Sequence, residues 1–175
     1  MPVIRVLFVC AGNICRSPMA EAVFREMVQR AGLEDQIAVD SAGTGAWYVG
    51  EEAHPGTLRV LRKHQIAYHG RARQIETGDL DSFDYILAMD RENLADIMRL
   101  VNRGERSAQD KLNRFYEMGH RPEIALFLSY ANRAGTVEET SVPDPYYDGR
   151  FDDVYDLISR GCAALLDHIR QVHNL

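Results

Sequence analysis

The chain has 175 residues, enough for one domain whose core needs neither disulfides nor a structural metal. A net charge of −6 and a pI near 5.5 argue against a general nucleic-acid binder and against a polybasic membrane anchor. Cys10, Cys15 and Cys162 fit no zinc-ligand spacing, no apolar run nears the ~20 residues that span a membrane, and neither a signal peptide nor a lipidation motif is read at the ends, so a cytoplasmic protein with reduced thiols is expected.

Residues 3–9 are rich in apolar and β-branched side chains, as in a strand buried on both faces, and the run stops at the turn-prone Cys10-Ala11-Gly12-Asn13. Ser17 then reads as a helix N-cap with Pro18 in the first helical position, and Ala20 stands where a capping box would need Glu. Met19, Val23 and Met27, with Ala20, Phe24 and Ala31 beside them, form an apolar stripe that Gly32 ends. A second strand is expected over 37–41, before the loop Ala42-Gly43-Thr44-Gly45, and a helix over 54–64. A third strand follows over 83–89 and its helix over 91–101. Residues 102–121 are polar and helix-permissive, and the apolar run 124–130 reads as the fourth strand. A loop over 136–143 leads into Asp144-Pro145-Tyr146-Tyr147-Asp148-Gly149. Val154, Leu157, Ile158, Ala164, Leu165 and Ile169 have helical spacing, which predicts a long closing helix over 151–172. Strands alternating with helices predict an α/β fold with a parallel sheet. Such sheets bind ligands beyond the carboxyl ends of their strands, and Cys10 falls at one of those ends.

The segment Cys10-Ala11-Gly12-Asn13-Ile14-Cys15-Arg16-Ser17 meets the needs of phosphomonoester chemistry. A helix N-terminus favours both a thiolate and a bound dianion. Gly12 and Asn13 tolerate the backbone angles of a loop whose N–H groups point inward at an oxyanion. Arg16 offers a planar bidentate donor that keeps its proton. Ser17 can hydrogen-bond the Cys10 sulfur and help it leave. A cysteine ending a buried strand is ordinarily an inert hydrophobe, and an arginine near a helix start is ordinarily a solvated charge. The strand before and the Ser-Pro pair after make the pattern far more specific than its spacing alone. Cys15 offers Cys10 a reversible disulfide partner; the plainer alternative is that it packs under the loop.

The leaving group needs a proton, which a carboxylic acid on a loop can supply before it activates water as the carboxylate. Asp144, held extended by Pro145, is the candidate, against the plainer reading of an ordinary Asp-Pro turn. Asp90, after the third strand, competes with it. Asp148, Asp152 and Asp153 read as turn and helix-start charges.

The run Val9-Cys10-x-Gly12-Asn13-Ile14-Cys15-Arg16-Ser17-Pro18, with Asp144-Pro145-Tyr146-Tyr147, resembles the low-molecular-weight protein tyrosine phosphatases. Ser41-Ala42-Gly43-Thr44, Ala72-Arg73-Gln74-Ile75, Phe83-Asp84-Tyr85-Ile86-Leu87 and Met89-Asp90 extend the likeness over most of the chain. The resemblance implies one phosphatase domain over residues 1–175, doubly wound around a four-stranded parallel sheet. It implies a phosphocysteine on Cys10, phosphate bound by Arg16, and Asp144 as general acid and then base. Asn13, Ser17 and Ser41 match the network that shapes the loop, His69 matches a supporting histidine, and Trp47 and Tyr48 match a slot wall opposite Tyr146 and Tyr147. No metal or cofactor is implied. The expected partners are phosphotyrosine proteins, with phosphate as product and inhibitor, no nucleic acid and no membrane, and with a weak homodimer left open.

Residues 102–121 depart from shorter members as an insertion. The branch that acts on phosphoarginine typically has Thr where this chain has Ile14, and a branched apolar residue with two tyrosines favours a flat phenolic substrate. The thiol-linked arsenate reductases need further cysteines on a flexible segment, whereas Cys162 falls in the closing helix. A module that only bound phosphate would have no use for Asp144.

Overall fold

A computed structural model describes residues 2–104 and 121–175, so 105–120 of the expected insertion 102–121 lie outside the described residues. Strand β1 (Ile4–Cys10) is one of the two inner strands of the sheet. Its side chains alternate: Ile4, Val6, Phe8 and Cys10 face one core, and Leu7 and Val9 face another. The first core is closed by α1 (Arg16–Arg30) and by α7 (Phe151–His173), which packs on α1. Phe8 meets Phe24 and Phe127 edge-on at centroid distances of 5.7 and 5.2 Å. The second core lies under α4 (Arg91–Gly104). From Val6 to Cys10 β1 is covered on both faces, which is why that stretch is legible as an apolar run without polar alternation; Arg5 at its start is exposed.

The other strands are β2 (Ile37–Gly43), β3 (Tyr85–Ala88) and β4 (Glu123–Leu126), with α2 (Pro55–Lys63) and α3 (Asp79–Ser82) between β2 and β3. The four-stranded sheet runs β2-β1-β3-β4, all parallel, with Cys10 beside Gly43 and Val9 beside Ala88. The chain leaves β1 to one side for β2 and crosses to the other for β3. The carboxyl ends of β1 and β3 therefore form the switch point where such sheets open a crevice. The fold is the expected α/β arrangement with a four-stranded parallel sheet.

Two local expectations need correction. Helix α1 starts at Arg16, its N-cap is Cys15, and no side chain caps it. Ser17 sits inside the first turn, fully buried, because its hydroxyl is committed to the loop before it. The run 124–130 is strand only as far as Leu126, where β3 ends its pairing. Phe127 makes one more sheet bond, to Ala88, and the chain turns into the short α5 (Ser129–Arg133). Phe127, Leu128, Tyr130 and Ala131 are buried by helix packing, a burial that a short apolar run cannot distinguish from that of a strand. Among the described residues no helix is long and apolar enough to cross a membrane.

Candidate active site

The loop between β1 and α1 is held from three sides. Asn13 has φ +57°, the left-handed region that asparagine tolerates better than most residues. Its Nδ2 donates to Ser17 Oγ at 2.8 Å and Ser41 Oγ at 2.9 Å, and its Oδ1 accepts from the Arg73 N–H at 3.0 Å. The Ser17 hydroxyl lies 3.0 Å from Cys10 Sγ. Ser41 donates to Glu21 Oε2 at 2.5 Å, which also accepts from the Tyr68 hydroxyl at 2.9 Å. Arg25 donates to the other Glu21 oxygen at 2.5 Å and so offsets the cost of burying this carboxylate. On the outer side, Ile14 O accepts from the His54 N–H at 2.8 Å and Cys15 O from Thr57 Oγ1 at 3.0 Å.

Two glycines matter through space rather than angle. A Cβ on Gly43 would stand 2.8 Å from Ala11 O and 3.0 Å from Gly12 C, so only glycine lets the end of β2 support the loop. A Cβ on Gly12 would meet the Tyr48 ring at 2.7 Å. Gly12 is not among the residues with positive φ, so its role is close approach, unlike the angular role expected for it.

Arg16 is 3% exposed and spans the crevice. Its Nη1 donates to Asp90 Oδ2 at 2.6 Å and Val142 O at 3.0 Å, and its Nη2 donates to Asp144 Oδ2 at 3.4 Å. Burial alone would lower its pKa; Cys10, Asp90 and Asp144 outweigh that and hold the guanidinium above its ordinary value. Asp90 Oδ1 accepts from the Asn93 N–H at 2.8 Å at the start of α4, so both its oxygens are engaged by short bonds. The geometry makes Asp90 a holder of Arg16. Asp144 is tied more loosely: it caps the short α6 (Pro145–Asp148), with Oδ1 accepting from the Tyr146 N–H at 3.1 Å. Burial, then the charges of Cys10 and Asp144, push the Cys15 thiol up to about 12, so it stays protonated beside Cys10.

Cys10, Ala11, Gly12, Ile14, Cys15 and Arg16 form the floor of a cleft of about 520 Å³. Trp47, Tyr48, Asp90, Asp144, Tyr146 and Tyr147 stand around it. The Tyr48 and Tyr146 hydroxyls are 3.4 Å apart. Asp148 caps the Arg150 N–H, and Asp152 pairs with Arg59 and Lys63, both away from this cleft. Cys162 is wholly buried in α7, with its thiol directed at Ala20 O.

His69 is not part of the loop's support. It is exposed and borders a separate small cleft with Leu58, Leu61 and Tyr68. Tyr68, one residue earlier, reaches Glu21 instead. Glu21, Tyr68, Thr57 and His54 are the supports that the motif did not reveal. Glu21 had a signal, since it follows Ser17 by one helical turn and therefore shares its face. The other three are brought in by tertiary packing and leave no local trace.

The model of the low molecular weight phosphotyrosine protein phosphatase family matches residues 5–174. The low molecular weight protein-tyrosine-phosphatase YfkJ of Bacillus subtilis is 43% identical over 173 residues, 98% of this chain and 99% of that one. Its crystal structure aligns with a TM-score of 0.82 at 42% identity, over 98% of this chain and 97% of that one. The low molecular weight phosphotyrosine protein phosphatase of Schizosaccharomyces pombe is 46% identical over 155 residues, 87% of this chain and 88% of that one. The structure described as a Drosophila arginine phosphatase aligns with a TM-score of 0.78 at 33% identity, over 95% of this chain and 98% of that one. The chain belongs to the low molecular weight phosphotyrosine protein phosphatase family. It is accordingly an enzyme of the protein-tyrosine-phosphatase class, a hydrolase acting on phosphoproteins.

Proposed function

We propose that this chain hydrolyses phosphotyrosine through a phosphocysteine on Cys10. The observation that carries the reading is one crevice in which Cys10 Sγ lies 3.0 Å from Ser17 Oγ while Arg16 bridges Asp90 and Asp144. The Cys10 thiolate attacks phosphorus in line with the ester oxygen. An S–P bond forms as the P–O bond breaks, and protonated Asp144 gives its proton to the departing phenolate. The Asp144 carboxylate then takes a proton from the water that attacks phosphorus. Inorganic phosphate departs, and the sulfur leaves as thiolate, steadied by the Ser17 hydroxyl. Arg16 and the N–H groups of the loop at the start of α1 stabilise charge on the equatorial oxygens. Asp90 keeps the guanidinium aimed. Ile14, Trp47, Tyr48, Tyr146 and Tyr147 form a slot for a flat ring. The chemistry needs a reduced thiol, so we place the enzyme in the cytoplasm.

The test is turnover of a chromogenic aryl phosphate by the full chain at mildly acidic pH, under reducing conditions and with chelator. Wild type turns over, Cys10→Ser does not, and Asp144→Ala is severely slowed. Wild type that leaves aryl phosphate intact but cleaves phosphoarginine moves the chain to the other substrate class. Full activity in Cys10→Ser refutes the mechanism.

A further inference from the structure

We infer that His54 is a positioning residue whose ring fixes Tyr146 as a wall of the substrate slot; the inference rests on the slot reading above. Tyr146 is 48% exposed and, among the described residues, touches three rings. Tyr147 stands edge-on at 5.2 Å but is itself 84% exposed, and Tyr48 meets Tyr146 through hydroxyls 3.4 Å apart. Neither contact gives Tyr146 a rigid backing. His54 meets it edge-on at 5.9 Å and 75°.

His54 is the neighbour anchored in the core. Its ring stacks on Phe151 at 4.9 Å and 18°, and Phe151, the first residue of α7, is buried. Gly56 makes room for that stack, since a Cβ there would stand 2.5 Å from the Phe151 ring. The His54 backbone is fixed as well. It is the N-cap of α2 with Pro55 next, which demands an extended residue before it, and its φ and ψ are −53° and 140°. Its N–H donates to Ile14 O in the phosphate loop at 2.8 Å.

The ring cannot turn freely either. His54 Nδ1 accepts from the Gly56 N–H at 3.0 Å, which requires a bare Nδ1 and places the proton of the neutral ring on Nε2. One residue thus ties the loop that holds the phosphate to the tyrosine that walls the ring, and sets the distance between them. This is a specificity role: it acts on how an aryl group sits over a phosphate that the loop binds regardless.

Cap and ring can be separated. Asn is among the best N-caps, so His54→Asn keeps the cap and removes the ring. His54→Phe keeps a flat ring and removes the acceptor. In His54→Asn, kcat/KM for p-nitrophenyl phosphate falls about 3- to 10-fold, as expected for losing an aromatic contact, with kcat and the inhibition constant of inorganic phosphate within about twofold of wild type. In His54→Phe, kcat/KM stays near wild type while Tm falls. The inference is overturned if His54→Asn keeps wild-type kcat/KM, if its phosphate inhibition constant rises in step, or if His54→Phe loses as much kcat/KM as His54→Asn. Wild type without phosphatase turnover overturns the functional reading itself, and this inference with it.

Discussion

Cys10 and Arg16 at the floor of the cleft, and Asn13 and Ser17 that support it, are each no more than 3% exposed and are locked by hydrogen bonds of 2.6–3.0 Å. At the rim, Trp47, Tyr146 and Tyr147 are 72%, 48% and 84% exposed, and Asp144 keeps contacts of 3.1 and 3.4 Å. The floor must present fixed dipoles to charge that develops on phosphorus, and fixed dipoles act best where nothing has to reorganise. The rim must admit a ring and a leaving group and then release them, so Asp144 keeps only its two longer contacts, while Tyr146 is backed by the His54 ring. Changes at the floor should therefore cost stability and rate together, and changes at the rim should cost rate alone.

The largest effect is expected at the nucleophile. Cys10→Ser lowers kcat for aryl phosphate by on the order of 10⁴-fold or more, measured by steady-state kinetics. Asp144→Asn lowers kcat about 10²- to 10⁴-fold while Tm stays close to wild type. A fall in Tm as large as that of a floor variant would erase the distinction between the two regions. Glu21→Ala strands Ser41 and Tyr68 and leaves Arg25 without its carboxylate. Urea unfolding should show a loss of about 1–3 kcal/mol, together with a lower kcat/KM, although Glu21 touches no substrate.

A smaller effect is expected from pH. Burial holds the Cys15 thiol up at about 12 and the Cys162 thiol well above 9.0, whereas the unfolded chain releases both protons near 9.0. A group raised by folding contributes stability that is full below its unfolded value and lost as pH climbs towards the folded one. The urea midpoint should thus fall between pH 9 and 12, and Cys15→Ala should flatten part of that fall. The smallest effect is at the outermost rim: Tyr147→Ala should change stability by less than about 0.5 kcal/mol, read by the same urea titration.

What the sequence revealed follows the same division. The first strand, the glycine-asparagine loop and the arginine after it are contiguous, so pattern and chemistry can be read together. The closing helix was legible because its apolar spacing recurs from Val154 to Ile169, over about four turns, and its observed span is Phe151–His173. Ser17 misled because local grammar makes Ser-Pro a cap, while the tertiary structure claims the hydroxyl for Cys10 and Asn13. The residues 127–130 misled because burial by a helix and burial in a sheet leave the same apolar run. His69 was carried over from a resemblance, and the neighbouring Tyr68 makes the contact, to Glu21 rather than to the loop itself. Supports drawn from α1, α2 and the segment after α2 converge only in the folded chain, so spacing could not announce Thr57, His54 or Tyr68.

The central claim is covalent catalysis by Cys10, and the direct measurement is to quench the full chain in acid during turnover of a phosphotyrosine peptide and locate any phosphoryl group by peptide mass spectrometry. The account predicts a phosphoryl adduct on Cys10, absent from Cys10→Ser. Steady turnover with no adduct at any quench time, or an adduct on another residue, would contradict it.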